Sequence, residues 1–281
     1  MSIKHRNKPI FSCEFFPPRT DAGMDKLIAT HRQLNDIINP AFFSVTFGAG
    51  GTTRDRTMET VKQLHSDSSQ IIAPHISCMG STKQQIADLL DEYIKLGINR
   101  LVTLRGDIPD EGEPDNELTH ANELVTFIRE KTGNHFHIEI AAYPEYHPES
   151  SSPDDDFKYF MNKAHAGADS AITQYFYNVD AYTHFIEKCE QAHLNIPIVP
   201  GIMPITNYAN LIRFSDNCGA EIPRWIRLQL AAYENDPVSL RDFGADVVTQ
   251  LCHQLLESGA PGLHFYTLNQ ADAILNIWNR L

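Results

Sequence analysis

The sequence is poor in cysteine, in long apolar runs and in positive charge, and each shortage excludes a class of protein. Its 281 residues include five cysteines, which are scattered along the chain without a Cys-x-x-Cys pair. An odd, scattered set argues against a disulfide framework and favours reduced thiols. No run approaches the roughly 20 apolar residues that span a bilayer, and the N-terminus lacks the apolar stretch of a signal peptide. These features predict a cytoplasmic protein without a membrane partner.

Positive charge is scarce as well. Lysine and arginine total 23 against 36 aspartate and glutamate residues, which gives a net charge of −13. Such a surface repels nucleic acid and anionic membranes, so neither is an expected partner. An anionic cofactor remains compatible with this charge where helix N-termini and local donors hold its phosphates. The histidine, cysteine and acidic residues show no spacing typical of a metal site, so no metal is expected.

What the chain does contain is eight short runs rich in Ile, Val, Phe and Ala, separated by segments with helical periodicity. The runs are Phe11–Phe16, Phe42–Thr46, Ile71–His75, Leu101–Arg105, Ile138–Tyr143, Ala171–Gln174, Ile198–Gly201 and Leu263–Tyr266. Apolar strands that alternate with helices indicate parallel strands buried on both faces, and eight such units predict a (β/α)8 TIM barrel, an α/β fold. The long interval from Ile202 to Gly262 predicts extra helices between the seventh and eighth strands. One domain, residues 1–281, is the simplest organisation.

Glu14 lies inside an apolar strand, between Cys13 and Phe15. Because side chains alternate along a strand, Glu14 points away from the face of these two neighbours, and into the barrel if they face the helices. Partial desolvation there predicts a raised pKa for Glu14, which suits a general acid near neutral pH. A carboxylate paired with an arginine or lysine of the barrel interior explains the same pattern equally well. These residues alone leave both interpretations open.

Eight segments, taken together in chain order, favour the first interpretation. They are Glu14–Arg19, Ser44–Gly51, Ala73–His75, Leu104–Asp107, Ala141–Glu145, Ile172–Gln174, Pro200–Ile202 and His264–Asn269. Each segment is a weak signal alone, but the ordered set closely resembles methylenetetrahydrofolate reductase of the short bacterial type. The resemblance covers nearly all of the chain.

The resemblance implies a FAD-containing barrel that reduces 5,10-methylenetetrahydrofolate to 5-methyltetrahydrofolate with NAD(P)H. In that family hydride passes from the nicotinamide to the flavin and then to the folate, and the two substrates use the site in turn. Relatives form homo-oligomers, commonly tetramers, so a homo-oligomer is expected here. The sequence does not distinguish NADH from NADPH as the reductant.

The same resemblance assigns roles to individual residues. Glu14 matches the general acid, and Asp107 matches a carboxylate beside the flavin and the pterin. The matched FAD-binding positions are Thr46, His75, Arg105, Gly106, Asp107, Ala121, Tyr143, His147, Asp156 and Lys163. Gln174 and Phe214 match substrate contacts, and Gln270 stands where relatives often place an arginine. Because glutamine keeps hydrogen-bond donors but loses the charge, a weaker contact to the folate tail or the cofactor is expected.

Two other functions are compatible with a barrel of this kind. One is a different flavin enzyme, such as a proline-dehydrogenase-like oxidase, which would need cationic groups for an amino-acid carboxylate instead of the Glu14 and Gln174 pair. The other is a barrel-derived binding or scaffold protein that keeps a cofactor without turnover. Reduction by NADH and reoxidation by the folate separate these three functions.

Overall fold

A computed structural model describes residues 8–47, 51–106 and 117–281 of the chain. The strands in these residues are β1 (Ile10–Phe15), β2 (Phe42–Val45), β3 (Ile71–Ser77), β4 (Arg100–Leu104), β5 (His137–Ala142), β6 (Ser170–Thr173), β7 (Ile198–Val199), β8 (Gly201–Ile202) and β9 (Gly262–Tyr266). The helices are α1 (Asp21–Ile38), α2 (Gly51–Asp67), α3 (Lys83–Lys95), α4 (Ala121–Thr132), α5 (Pro153–His165), α6 (Val179–Gln191), α7 (Tyr208–Cys218), α8 (Arg224–Ala232), α9 (Pro237–Glu257) and α10 (Ala271–Trp278). Every strand predicted from the sequence is present.

The strands form one closed sheet, and the segment around Pro200 closes it. The hydrogen-bonded order is β7-β6-β5-β4-β3-β2-β1-β9-β8. β7 pairs with β6 and β8 pairs with β9, both in parallel. Proline has no backbone N–H, so Pro200 splits one strand of the barrel into two short pieces, although its carbonyl still accepts the His264 N–H at 3.0 Å. Because both ends of the sheet belong to this one split strand, the predicted (β/α)8 TIM barrel is confirmed.

Helices follow the strands and surround the sheet. α9 contacts both α6 and α10 and therefore takes its place in the outer ring. α7 and α8 precede α9 in the same connection, which confirms the extra helices predicted between the seventh and eighth barrel strands. Within the described ranges, none of the helices combines the length and the apolar character that a bilayer crossing requires.

Local sequence sets where the helices begin and which face they bury. At the start of α3, the Thr82 hydroxyl accepts the Gln85 N–H at 3.2 Å and the Gln85 side chain accepts the Thr82 N–H at 2.9 Å. This capping box satisfies two N–H groups that have no partner inside the helix.

The sequence also predicts Ile94 in the buried stripe of α3, and this prediction is wrong because Ile94 is 36% exposed. Ile94 lies about 80° around the helix from Ile86, at the edge of the buried face.

The interior of the barrel has distinct layers along its axis. An apolar cluster of Phe42, Ala73, Val102 and Ile172 lies inside the sheet. Near the N-terminal ends of the strands, Arg100 forms an ion pair with Glu139. Near the C-terminal ends, Glu14 projects inward from β1. Since barrels of this kind carry catalytic residues at the C-terminal ends of their strands, the layer around Glu14 is the candidate site.

Candidate active site

Glu14 lies near the C-terminal end of β1 and points into the barrel. Its neighbours Cys13 and Phe15 belong to the large apolar core under the helices and are 0% and 1% exposed. In the sheet register, Glu14 lies beside Ser44 of β2 and Tyr266 of β9. The orientation that strand alternation predicts is therefore confirmed.

Side chains from three other strands surround one oxygen of this carboxylate. Ser44 Oγ donates a hydrogen bond to Glu14 Oε2 at 3.1 Å. His75 Nε2 of β3 and His264 Nε2 of β9 lie 3.1 and 3.4 Å from the same oxygen. On the other side of the His264 ring, Nδ1 lies 2.7 Å from Ser12 Oγ, at hydrogen-bonding distance. We call Ser12, Glu14, Ser44, His75 and His264 the carboxylate cluster.

The carboxylate cluster shifts the pKa of Glu14 in the direction opposite to the predicted one. Burial raises the pKa of this carboxyl, but the charge of His75, the hydrogen bond from His264 and the charge of His264 outweigh burial, and the pKa lies well below its usual range. The prediction of a raised pKa is therefore wrong. It took account of desolvation and could not include two histidines brought by other strands.

The histidine partners also bear on the alternative interpretation of Glu14, in which its carboxylate pairs with an arginine or lysine of the barrel interior. The groups that pair with Glu14 among the described residues are His75 and His264, and not an arginine or lysine. Histidine releases and takes up a proton near neutral pH, whereas arginine stays charged. A histidine beside this carboxylate can therefore exchange a proton with it, which an arginine cannot do. His75 Nε2 is buried and forms no well-aligned hydrogen bond, despite its 3.1 Å approach to Glu14, so it can also donate to a bound ligand.

Five of the residues matched to FAD-binding positions come together at the C-terminal ends of β4 and β5. They are Arg105, Tyr143, His147, Asp156 and Lys163, and we call them the cation cluster. The Tyr143 and His147 rings meet edge to face, with their centroids 4.6 Å apart. The charges of Arg105, Asp156 and Lys163 all act on the His147 imidazole. The structure therefore brings these five predicted residues into one group.

Backbone and carboxylate groups hold the basic side chains of this cluster. Lys163 Nζ donates a hydrogen bond to the Ala141 carbonyl at 2.7 Å, and Arg105 Nη1 lies 2.7 Å from Glu149 Oε2. Burial lowers the pKa of Lys163 to about 8, although the charge of Asp156 opposes this shift. Lys163 and Arg105 are therefore both charged at pH 7, in a protein that is strongly acidic as a whole.

The cation cluster fits the phosphates and the adenosine part of a dinucleotide. Arg105 and Lys163 supply the positive charge and the donors that phosphate oxygens need. Asp156 is 9% exposed and accepts a hydrogen bond from Ser150 Oγ at 2.7 Å, so it is an ordered acceptor suited to a ribose hydroxyl. Together with the donor at His75 Nε2, these groups form a chemically suitable set for FAD.

Three further predicted FAD-binding positions lie at the same end of the barrel. Thr46 follows β2, Gly106 follows β4, and Ala121 is the first residue of α4. Gly106 has a φ of 88°, and a Cβ built there would lie 2.9 Å from the Ser77 side chain, so only glycine fits. Asp107 lies outside the described residues, and its role stays a prediction.

The residues predicted to contact substrate occupy separate elements. Gln174 follows β6, and its Oε1 accepts the Tyr175 N–H at 3.0 Å. Phe214 is partly buried on α7, with the Arg213 guanidinium 5.2 Å from its ring centroid. Gln270 is exposed and occupies the N-cap position of α10, just beyond β9, where its side chain makes no capping hydrogen bond. The structure does not join the three in one hydrogen-bonded group.

Three members of the carboxylate cluster had no role in the sequence-based prediction, namely Ser44 and the pair Ser12 and His264. Ser12 lies two residues before Glu14 and His264 lies two residues before Tyr266, so strand alternation places both on inward faces. That signal was available. Their contact with each other joins positions 252 residues apart, and no local pattern reveals it.

Solved structures with the same fold bind folate compounds. An uncharacterized protein from Clostridium thermocellum that binds two copies of 5-methyl-5,6,7,8-tetrahydrofolic acid matches with a TM-score of 0.65 and 17% identity, over 98% of this chain and 94% of that chain. Dihydropteroate synthase from Xanthomonas albilineans, in complex with 7,8-dihydropteroate, matches with a TM-score of 0.54 and 11% identity, over 97% and 92% of the two chains. At these identities the likeness shows the barrel fold alone.

Sequence relatives are much closer. The 5,10-methylenetetrahydrofolate reductase of Pectobacterium carotovorum subsp. carotovorum is 36% identical over 262 residues, which cover 93% of this chain and 86% of the relative. Methylenetetrahydrofolate reductase (NADH) 1 of Arabidopsis thaliana is 32% identical over 98% of this chain and 49% of the relative. The sequence model of the methylenetetrahydrofolate reductase family matches residues 1–281. The chain therefore belongs to the methylenetetrahydrofolate reductase family.

Proposed function

We propose that this chain reduces 5,10-methylenetetrahydrofolate to 5-methyltetrahydrofolate with NAD(P)H, through a tightly bound FAD. Membership of the family supports the folate reaction. The name of the plant relative supports NADH as one reductant. The observation that carries the proposal is the carboxylate cluster, which places two histidines within 3.4 Å of the Glu14 carboxylate where the barrel strands end.

The carboxylate cluster supplies the proton that folate reduction needs. Opening the five-membered ring of the substrate leaves an amine, and this amine must be protonated as the ring opens. His264 Nε2 lies 3.4 Å from Glu14 Oε2, so a proton carried by the imidazole passes along this contact to the carboxylate and from there to the amine. Glu14 is then ionised again and stabilises the cationic folate that ring opening produces.

The cation cluster and its neighbours hold the cofactor. Bound FAD supplies hydride transfer between the nicotinamide and the folate. Arg105 and Lys163 hold its pyrophosphate, and Asp156 accepts a hydrogen bond from the adenosine part. By resemblance, Asp107 adds a negative charge beside the flavin pyrimidine, which lowers the reduction potential of the flavin and stabilises the cationic folate.

Three side chains contact the substrates. The Gln174 amide donates to and accepts from the edge of the pterin. The Phe214 ring stacks on the nicotinamide and on the folate in turn, because both present flat aromatic surfaces. Gln270 reaches the folate tail with hydrogen bonds but without the charge of an arginine.

An anaerobic colour change tests this function. Purified protein is mixed with NADH or NADPH, and 5,10-methylenetetrahydrofolate is then added while the visible spectrum is recorded. The expected result is a yellow protein that the nicotinamide bleaches and the folate recolours.

Other outcomes identify the competing functions. A colourless preparation that takes up no FAD contradicts the proposal. A yellow protein that NAD(P)H bleaches but the folate does not recolour indicates a different flavin enzyme. A yellow protein that no nicotinamide bleaches favours a binding or scaffold role.

A further inference from the structure

α7 is attached to the C-terminal end of the barrel at two points near β6. Before the helix begins, the Met203 carbonyl accepts a hydrogen bond from the Tyr177 hydroxyl at 3.3 Å. In the second half of the helix, Ser215 Oγ lies 3.0 Å from the Tyr175 hydroxyl. Both tyrosines closely follow β6, so α7 lies beside the opening of the barrel where this strand ends.

The C-terminal end of α7 has a third attachment, to the loop between β5 and α5. Glu145 Oε2 in this loop accepts the backbone N–H of Glu221 at 2.9 Å. The helix ends at Gly219, and a Cβ built there would lie 3.7 Å from the Pro148 side chain and 3.8 Å from the Tyr146 carbonyl. The loop thus packs directly against the end of the helix, and Glu145 provides the hydrogen bond across this contact.

The two sides of the contact carry different parts of the proposed site. Glu145 lies two residues from Tyr143 and two from His147, which both belong to the cation cluster. Phe214 lies on α7, next to Ser215. The hydrogen bond from Glu145 therefore joins the segment that holds the flavin to the helix that carries the stacking ring.

The surroundings of Glu145 make this hydrogen bond sensitive to pH. The titratable groups that face its carboxylate among the described residues are Tyr175 and Glu221, and neither is a cation. Burial raises the pKa of Glu145 to about 7, with the Glu221 N–H lowering it and the Glu221 carboxylate raising it. A hydrogen bond to an ionised carboxylate is stronger than one to a neutral acid, so the contact strengthens as Glu145 loses its proton.

We propose that Glu145 is a positioning residue that fastens the end of α7 to the β5–α5 loop and so sets the place of Phe214 relative to Tyr143 and His147. The inference rests on the proposed function, in which Phe214 stacks on both substrates. An ionised Glu145 keeps α7 in place, and protonation weakens the attachment as the pH falls. Substrate affinity therefore decreases on the acid side of pH 7.

The first test is the pH dependence of KM for the folate in the holoenzyme. We expect the wild-type KM to rise about fivefold from pH 8 to pH 6, the size of one weakened hydrogen bond. Glu145→Gln keeps an acceptor but cannot ionise, so its KM stays near the wild-type acid value at both pH values. Its kcat at each pH stays within about twofold of wild type, because Glu145 contacts no reacting group.

Two further variants separate positioning from general damage to the fold. Glu221→Gln keeps the backbone donor and removes one nearby negative charge, so the wild-type change in KM moves to lower pH. Glu130→Gln, an exposed substitution at the far end of α4, keeps the wild-type profile. A Glu145→Gln enzyme with the full wild-type pH profile of KM would overturn the proposal.

The second test needs no turnover. Hydrogen–deuterium exchange of the peptide 216–224 reports the Glu221 amide directly. We expect faster exchange in Glu145→Gln than in wild type at pH 8, and a smaller difference at pH 6, after correction for the intrinsic rate. Equal exchange at both pH values contradicts the attachment. If the protein reduces no folate but shows the expected exchange, the proposed function fails while the attachment stands.

Discussion

Glu14, which is partly buried, and Glu139, which is fully buried, are carboxylates near the C-terminal and N-terminal ends of the barrel strands, respectively, and their partners differ in kind. Arg100 Nε and Nη2 lie 3.0 and 2.9 Å from Glu139 Oε1, and Ser170 Oγ donates to Oε2 at 2.6 Å. Glu14 faces two histidines and a serine. Glu139 therefore has a permanent cation beside it, whereas the basic groups beside Glu14 in the described part of the chain are histidines.

The direction of the pKa shift does not separate these two carboxylates. Burial raises the pKa of each, and in each the partners outweigh burial and lower it. For Glu139 the partners are a hydrogen bond from His137 and the charge of Arg100. What differs is that Glu139 also has an arginine, which keeps its charge, whereas the basic partners of Glu14 among the described residues are both histidines, which can give up a proton. We infer that Glu139 stabilises the fold and that Glu14 exchanges protons.

A cleft lies at the N-terminal end of the barrel strands, and this does not make it the reactive end. A cleft of about 380 Å³ is lined there by residues that include Arg100, Arg129, His137 and Asp169. Its two arginines are already engaged, Arg100 with Glu139 and Arg129 with Asp169. Because both arginines are paired with carboxylates, we assign this cleft a structural role, as is usual for the N-terminal face of such a barrel.

We expect the greatest loss of activity when the carboxyl group of Glu14, near the C-terminal ends of the strands, is removed. Glu14→Gln should slow reoxidation of the reduced flavin by 5,10-methylenetetrahydrofolate by about 10²–10⁴-fold, the usual contribution of general acid catalysis. Reduction of the flavin by NADH should change little, because that half-reaction needs no proton donation to an amine. Stopped-flow measurement of each half-reaction checks this, with Glu130→Gln as control. Equal losses in both half-reactions would reject the general-acid role.

Breaking the ion pair between Arg100 and Glu139 should lower the stability of the fold and leave both half-reactions intact. Arg100→Met leaves a buried carboxylate without its permanent cation, so we expect a loss of about 3 kcal/mol in the free energy of unfolding. Urea denaturation measures this loss, and both half-reactions should keep nearly wild-type rates. The double variant Arg100→Met with Glu139→Gln should recover part of the stability. A loss below about 1 kcal/mol in Arg100→Met would mean that the pair is not a structural element.

A third prediction concerns the cation cluster at the C-terminal ends of β4 and β5. Lys163→Met should weaken FAD binding about tenfold at pH 7, because a charged hydrogen-bond donor to phosphate is lost. The pKa of Lys163 is about 8, so wild-type affinity should fall as the pH rises through this value while the lysine loses its charge. Titration of the apoprotein, followed by flavin fluorescence, measures both effects. Lys158→Met, an exposed substitution on the same helix, is the matched control. An identical pH dependence in Lys163→Met and wild type would exclude the phosphate contact.

The smallest effect that we expect is the loss, in acid, of the stability that the ion pair between Arg100 and Glu139 provides. Because the folded pKa of Glu139 is lowered from 4.5, its contribution to stability is complete above that value and is lost as the pH falls through the folded pKa. The stability difference between wild type and Arg100→Met should therefore shrink below pH 4.5. Urea denaturation at pH 7 and in acid tests this. A difference that stays constant with pH would show that the effect of Arg100 is packing and not charge.

Much of the fold could be predicted from the sequence because its signals are local. The eight apolar runs and the long interval after Ile202 each depend on neighbouring residues, and both predictions are confirmed. The inward direction of Glu14 followed from the same kind of signal, since alternation along a strand is a local rule. The grouping of Arg105, Lys163 and their neighbours needed the resemblance to a family as well.

The failures have one physical cause. The pKa of Glu14 depends on His75 and His264, which lie 61 and 250 residues away along the chain and reach the carboxylate only when the barrel closes. The contact between Glu145 and Glu221 joins two loops in the same way. Neither pairing leaves a periodic or compositional trace.

Residue patterns are sufficient to predict a (β/α)8 barrel with a carboxylate inside it, because alternation and helical periodicity are properties of short segments. The charges that this carboxylate meets, and therefore the direction of its pKa shift, depend on the folded barrel. Electrostatic interactions act through space over a few ångströms, and closing the barrel is what brings distant strands within that range.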